Sequence, residues 1–396
     1  MSSKREPSKA LDFKPRLTVV GVGGAGGNAV NNMIASGLSG VNFVVANTDA
    51  QSLANSSAEH RLQLGTNLTE GLGAGARPEI GRDAAMEDRD RIAEMIDGAD
   101  MLFITAGMGG GTGTGAAPVI ADIAKSMNIL TVAVVTRPFK LEGGKRMKVA
   151  QAGIDELGKR VDSLIIIPND KLMEVLGDDI SMLDAYAAAN DVLHGAVSGI
   201  AEVINNPGLV NVDFADVRTV MGEVGMAMMG SAVATGADRA RQAAEAAVRS
   251  PLLEDVNLAG ARGVLVNVTA SSGLRMREYQ EVMTTIKEFT AEDALVIVGT
   301  VIDDAMEDRL RVTMIATGLG GAQAVKREQR APNMTLVEQT QVIARTGTDG
   351  MGMTAEGVDY QNLEAPAVMR KRERGLPAAP AFDTAEIPAF LRKQAD

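Results

Sequence analysis

Two glycine runs are the residues of this chain best suited to chemistry. The first, Gly21-Val-Gly-Gly-Ala-Gly-Gly27, is followed by Asn28 and sits between a β-branched stretch and a helical one. Glycines at such a junction let backbone N–H groups approach phosphate oxygens, and a helix N-terminus adds positive potential. Gly21, Gly23 and Gly26 also satisfy the GxGxxG spacing of dinucleotide-binding proteins, and Asp49 follows the next strand signal as that fingerprint wants. The second run, Gly107-Met-Gly-Gly-Gly-Thr-Gly-Thr-Gly115, has the same setting. Its Thr112 and Thr114 hydroxyls can donate to phosphate or sit near a bound Mg²⁺. A dinucleotide has one pyrophosphate and needs one cradle, whereas two cradles on neighbouring strand ends suit a longer polyphosphate. No GxxxxGK(S/T) occurs, so this is not a P-loop NTPase.

Carboxylates are the second group. Asn211, Asp213 and Asp216 fall on a predicted loop after the longest helical stretch. Asp213 and Asp216 are three apart, so one helical turn would bring both to one face. Carboxylates there can orient and polarise an attacking water, although two acids on a loop are also ordinary solvated charges. Near the end of the chain, Ile387, Phe390 and Leu391 recur at i, i+3 and i+4 beside Arg392 and Lys393. That is the pattern of a short helix docking in a groove, or of a terminus without function. His60 reads as a surface residue and His194 as structural or exposed. Met226, Met228 and Met229 read as packing residues.

These groups need elements to hold them. Strand signals at 17–22, 41–46, 101–105, 129–136 and 164–168 alternate with helical stretches at 28–36, 82–96 and 117–126. The alternation predicts an α/β fold, a doubly wound parallel sheet with both glycine runs at strand ends. A long helix at 183–205 carries Leu193, Val197, Ile200 and Ile204 on one face. It would span about 35 Å and stops at Asn206-Pro207-Gly208. Helices at 238–249 and 277–290 and strands at 263–269, 295–301 and 310–316 then predict a smaller α+β domain. The expected division is a disordered leader over 1–15, a nucleotide-binding domain over 16–182, the central helix over 183–207 and the α+β domain with the acids over 208–319. A flexible linker over 320–380, rich in Gln, Thr, Ala, Gly and Pro, leads to a terminal peptide over 381–396. The long helix would hold the acids and the glycine runs apart, so they are not expected to meet within one chain.

Composition narrows the function classes. A formal net charge of −12 repels phosphate backbones and speaks against nucleic-acid binding. With no cysteine there is no disulfide framework, thiolate zinc site or cysteine nucleophile. Two histidines leave little room for a histidine metal centre, and the absence of Trp speaks against base-stacking platforms. The charged start does not read as a signal peptide. The longest apolar runs are strand-sized. A soluble cytoplasmic protein is the expectation.

The chain resembles the FtsZ branch of the tubulin/FtsZ superfamily. Gly109-Gly-Gly-Thr-Gly-Thr-Gly115 matches the tubulin signature. Residues 21–30, Asn47-Thr-Asp-Ala-Gln51, Gly71-Leu-Gly-Ala-Gly-Ala76, Ile167-Pro-Asn-Asp-Lys171, Asn211-Val-Asp-Phe-Ala-Asp-Val217 and Ile387-Pro-Ala-Phe-Leu391 extend the likeness. It covers nearly everything from Arg16 to Leu319, with the closing peptide as well. The resemblance implies a polymerising GTPase that binds GTP and GDP with Mg²⁺; whether K⁺ joins is left open. Gly24, Ala25, Gly26, Gly27 and Asn28 would hold phosphates from one side, and Gly111, Thr112 and Gly113 from the other. Glu142 and Arg146 would lie at the ribose and phosphate with Asn169 nearby. Tyr186 would stack on guanine and Asn190 would read it. Asn211, Asp213 and Asp216 of one subunit would complete the pocket of the next in a head-to-tail filament, the scaffold of a midcell division ring. Through Ile387, Phe390 and Leu391 the tail would bind membrane tethers such as FtsA and ZipA. Two rivals stay open: a nicotinamide-dependent oxidoreductase built on the first glycine run, and an FtsZ-like regulator that binds nucleotide without turnover.

Overall fold

The computed structural model describes residues 14–319 apart from 178, 207, 211, 224, 254–257 and 292, and apart from the side chains of Val175 and Ala259. Residues 1–13, the expected linker and the terminal peptide with Ile387, Phe390 and Leu391 lie outside the described residues, as does Asn211.

Six parallel strands form the first half: β1 (Leu17–Val22), β2 (Val41–Asn47), β3 (His60–Gln63), β4 (Met101–Gly107), β5 (Leu130–Arg137) and β6 (Ser163–Pro168). Their order is β3-β2-β1-β4-β5-β6. The chain steps outward from β1 to β3 and then returns to the other side of β1. This switch point opens a crevice beyond the ends of β1 and β4, where ligands of open α/β sheets bind. Helices α1 (Gly23–Ala35), α2 (Ala50–Ala54), α3 (Thr66–Thr69), α4 (Pro78–Glu87), α5 (Arg89–Ile96), α6 (Thr112–Ser126), α7 (Gly144–Gly158) and α8 (Asn169–Leu176) make the connections. The long helix is α9 (Met182–Asn205).

Strand alternation sorts side chains into two cores. Leu17, Val19, Met101, Phe103, Val132 and Val134 enter one core with α1 and α9. Val20, Val22, Leu102, Ile104, Ala133 and Val135 enter the other, against α4, α5, α6 and α7. Of the expected stripe on α9, Leu193, Val197 and Ile200 are buried in the first core and Ile204 packs at its margin.

The second half comprises α10 (Phe214–Met221), β7 (Met226–Thr235), α11 (Arg239–Val248), β8 (Gly263–Ala270), α12 (Met276–Phe289), β9 (Leu295–Ile302) and β10 (Arg309–Leu319). β7 pairs in parallel with β6 through Leu164↔Met226 and Ile165↔Ala227, and antiparallel with β10. One ten-stranded sheet therefore runs through both halves. A third core lies between this part of the sheet, α11 and α12. Inside it, Arg239 and Glu278 form a buried bidentate pair at 2.7 and 3.2 Å.

Sequence periodicity misses α2, β3, α3, α7, α8, α10 and β7. Of the three methionines read as packing residues, Met229 is buried, whereas Met226 is about half exposed at 48% at the start of β7. The stretch expected as one helix over 82–96 is two, broken at Asp88. The Asp88 carboxylate accepts from Gly65 N at 2.7 Å and pairs with Arg91 at 2.7 Å, serving a neighbouring loop at the break. His60 is exposed on β3. His194 is half-buried on α9, and burial is the main force holding its imidazole below the usual range. Among the described residues no helix is long and apolar enough to cross a membrane.

Candidate functional site

Both glycine runs open helices. The first is not a loop ahead of a helix at Asn28: α1 begins at Gly23, directly after β1. Gly23, Gly24, Ala25 and Gly26 are its first turn, and Asn28 is exposed in the next. The second run turns into α6 at Thr112. The first amides of a helix have no intrahelical acceptor. In α2, α9 and α10 the side chains of Asp49, Ser181 and Asp213 accept from them. Neither α1 nor α6 has an acidic residue in its first turn, and among the described residues no side chain caps either. Two uncapped N-termini at one crevice make a site for an anion.

The runs are packed onto each other. Gly23 holds φ at +71°, and a Cβ there would stand 2.9 Å from Gly113 N. A Cβ on Gly107 would stand 2.6 Å from Ala25 Cβ, and one on Gly113 would stand 2.8 Å from Gly107 O. Gly26 and Gly27 are buried, with Gly26 set against Thr105 O. Gly24 and Gly110 face open space, with nothing within 4 Å of a built Cβ. Gly111, Thr112 and Gly113 are buried where the second run turns into α6.

Two side chains take partners within the chain. Thr114 Oγ1 accepts from Gly109 N at 2.8 Å and so closes the glycine run on itself. Asp49, the acid that supported the dinucleotide reading, caps α2 by accepting from Gln51 N at 2.9 Å and Ser52 N at 3.1 Å. The segment 70–77, to which spacing assigned no role, covers the start of α6: a Cβ on Gly111 would meet Ala74 Cβ at 2.8 Å and Arg77 N at 3.0 Å. Positive φ at Glu70, Gly71, Gly73, Gly75 and Ala76 shapes it. Its glycine density was the available signal.

The remaining candidates converge beside the second run. The Arg146 stem covers Gly109, whose built Cβ would stand 2.8 Å from Arg146 Cγ. Arg146 pairs with Glu142 at 3.1 Å, and Glu142 also accepts from Phe139 N at 2.9 Å. Tyr186 meets Phe139 edge to face, with ring centroids 5.5 Å apart. Burial pushes the Tyr186 phenol up, Glu142 adds to the shift, and Arg146 opposes it. Asn169 opens α8, is buried, and keeps an Oδ1 without a partner among the described residues. That orphan acceptor suits a hydroxyl of a bound nucleoside. Asn190 is half-buried one turn after Tyr186 on α9.

The acids stand elsewhere. Asn32 on α1 donates to Asp191 on α9 at 3.0 Å, and Asn205 on α9 donates to Gly40 O at 3.0 Å. The two helices therefore run in the same direction, with both N-termini at the crevice. Gly40 precedes β2, at the end of the parallel strands opposite the crevice. A Cβ on Gly299 would stand 2.9 Å from Val203 Cγ1 and 3.1 Å from Val212 Cγ2. Asp213 thus begins beside the last turn of α9, whose 24 residues span about 36 Å. Asp213 and Asp216 are exposed, and they open a helix rather than sit on a loop: Asp213 Oδ1 accepts from Asp216 N at 2.8 Å as the N-cap of α10. Among the described residues no group of three or more His, Cys, Asp or Glu could hold a metal ion.

The family model for the tubulin/FtsZ family GTPase domain matches residues 16–177, and that for the FtsZ family C-terminal domain matches 225–320. The cell division protein FtsZ of Pseudomonas putida is 56% identical over 389 residues, covering 96% of this chain and 97% of the relative. An FtsZ dimer from M. jannaschii is 43% identical with a TM-score of 0.75, covering 78% of this chain and 89% of that one. The GTPγS-bound protofilament of CetZ2 from Haloferax volcanii shares the fold at 21% identity and a TM-score of 0.65, covering 77% and 93%. This chain therefore belongs to the FtsZ family of tubulin-like, polymerising cell-division GTPases.

Proposed function

We propose that one chain holds GTP and that the next chain supplies the acids that hydrolyse it. The observation that carries this reading is the placement of cradles and acids at opposite ends of α9. Gly24, Ala25, Gly26, Gly27 and Asn28 hold the triphosphate from α1, and Gly111, Thr112 and Gly113 hold it from α6. Glu142, Arg146 and Asn169 take the ribose side, Tyr186 stacks on the base and Asn190 pairs with guanine. An amide can both donate and accept, as a guanine edge demands. Mg²⁺ held by the bound nucleotide would neutralise phosphate charge, and K⁺ is a further candidate. Asp213 and Asp216, with Asn211, polarise the attacking water from the neighbouring subunit. On this reading 16–182 binds, 183–207 connects, and 208–319 brings the acids.

A contact between unlike ends is heterologous and builds an open filament. Exposed apolar side chains lie at both ends. Leu72 (86% exposed), Leu141 and Leu183 flank the crevice, and Leu209 precedes the acids. Leu183→Asp is expected to raise the assembly threshold by roughly tenfold or more, the effect of losing one buried leucine from a contact. Sedimentation at graded protein concentration reads it, and an unchanged threshold would remove Leu183 from the contact.

The filament is the scaffold of the division ring, in the cytoplasm at midcell. Ile387, Phe390 and Leu391 dock it to membrane tethers such as FtsA and ZipA, so the membrane is reached indirectly. The test of the shared site is GTP turnover with Mg²⁺ against protein concentration, with pelleting of the same samples. Turnover is expected only above a threshold, where protein sediments. Turnover strictly proportional to protein from the lowest dose would mean that one chain holds a complete site. It would also remove Asp213 and Asp216 from any role between subunits.

A further inference from the structure

Thr48 lies between the end of β2 and Asp49, the cap of α2. Its side chain is completely buried, and its Oγ1 stands 2.6 Å from Thr112 Oγ1. This is the one hydrogen bond of Thr48 Oγ1 among the described residues. The surroundings hold Thr48 in place. Its carbonyl accepts from Thr69 Oγ1 at 3.3 Å, Leu64 N donates to Asn47 O at 2.9 Å, and Ala50 N donates to Gly71 O at 3.0 Å.

A threonine hydroxyl has one hydrogen to give and two lone pairs to receive. If Thr112 donated across the contact, the Thr48 hydrogen would have no acceptor in a place closed to water. Leaving a buried donor unmet is the costly alternative. The pair therefore orders one way: Thr48 donates and Thr112 accepts. The Thr112 hydrogen is then free of Thr48. Thr112 is the first residue of α6, and its Cβ lies 3.3 Å from a Cβ built on Gly23. Its hydroxyl thus sits where the two glycine runs meet.

We propose that Thr48 is a positioning residue of the nucleotide site: by donating to Thr112 Oγ1 it leaves the Thr112 hydrogen to a phosphate oxygen of the bound nucleotide. This rests on the reading of Thr112 as a phosphate ligand. Thr48 does not touch the nucleotide and acts through Thr112.

The test uses the full chain below its assembly threshold and titrates GTP, GDP and guanosine. Thr48→Val keeps the shape of the side chain and removes the hydroxyl, whereas Thr48→Ser keeps the hydroxyl. Thr48→Val is expected to weaken GTP and GDP about five- to tenfold and to leave guanosine unchanged, the loss of one oriented hydrogen bond. Thr48→Ser is expected to bind GTP like the unsubstituted chain. Thr112→Val should weaken GTP at least as much as Thr48→Val, and the double variant should bind no worse than Thr112→Val alone. Normal GTP binding by Thr48→Val beside weakened binding by Thr112→Val would overturn the proposal and spare the reading of Thr112. Normal binding by Thr112→Val would remove both. A Thr48→Val loss that persists in the Thr112→Val background, that extends to guanosine, or that Thr48→Ser shares would assign Thr48 to the fold alone.

Discussion

Asp213→Asn is expected to lower GTP turnover by about 10²–10³-fold, the scale for removing one group that stabilises charge in the transition state. Asparagine is the informative substitution because Asp213 has two jobs. Its Oδ1 caps α10 at 2.8 Å from Asp216 N, and asparagine caps a helix about as well as aspartate. Alanine would remove the cap as well, at a cost of about 1 kcal/mol, and would confuse a lost helix end with lost chemistry. The proposed phosphate cradles are at the far end of α9, so nucleotide affinity should not change. Filaments should still form with GTP and should persist longer, since hydrolysis no longer weakens their contacts. Steady-state phosphate release and equilibrium GTP titration of the same preparation separate these effects. Turnover near that of the unsubstituted chain would reduce Asp213 to a helix cap. A parallel loss of GTP affinity would place it in the binding site of its own chain.

Glu278→Ala is expected to cost about 3–5 kcal/mol of folding stability, because it strands a charge in a closed site. Arg239 and Glu278 are 8% and 9% exposed, and their contact is bidentate. Arg239 also donates to Asp308 O at 2.8 Å, and Glu278 accepts from Arg275 N at 2.8 Å. Without Glu278 the guanidinium keeps, among the described residues, only the Asp308 carbonyl. A typical domain has about 5–15 kcal/mol in all, so the second half of the sheet is expected to lose its cooperative unfolding. Urea unfolding of the full chain reads the change as a lower midpoint, and an unmoved midpoint would show the pair to be dispensable. Replacing both residues with apolar ones of similar volume should cost far less, since no charge is left alone. The pair also predicts acid sensitivity. Burial alone would raise the Glu278 carboxyl, but the hydrogen bond from Arg239, the Arg275 amide and the positive field hold it below the usual range. A carboxyl that is lower folded than unfolded contributes stability above its unfolded pKa of about 4.3. That contribution is lost as pH falls through the folded value. Glu278→Gln should flatten that part of the acid unfolding profile.

The sites were legible to different degrees. Gly21–Gly27 and Gly107–Gly115 could be read directly, because a chain that turns tightly and brings backbone to phosphate has few residue types to choose from. Leu193, Val197 and Ile200 could be read because helical spacing is local. Asp49 misled: an acid after the second strand fits a ribose ligand and a helix cap equally well, and only the amides of Gln51 and Ser52 decide for the cap. Strand β7 was missed because methionine, glycine and alanine carry a weak strand signal. It is nevertheless the strand that makes one sheet of two halves.

By itself the sequence determined what depends on neighbours along the chain: the two glycine runs after strands, the alternation of strand and helix, the long helix and its stop, and the resemblance carried by short motifs. Backbone conformation and helix or strand period are local properties, so residue type and spacing are enough to reveal them. Tertiary structure alone decided which groups face each other. It placed Thr48 on Thr112 across 64 positions, drew Arg146 over Gly109, and buried Arg239 against Glu278. It also set Asp213 at the far end of α9 from the cradles it is proposed to serve. Those juxtapositions come from side chains packed around a shared core, where the distance along the chain says nothing about the distance in space.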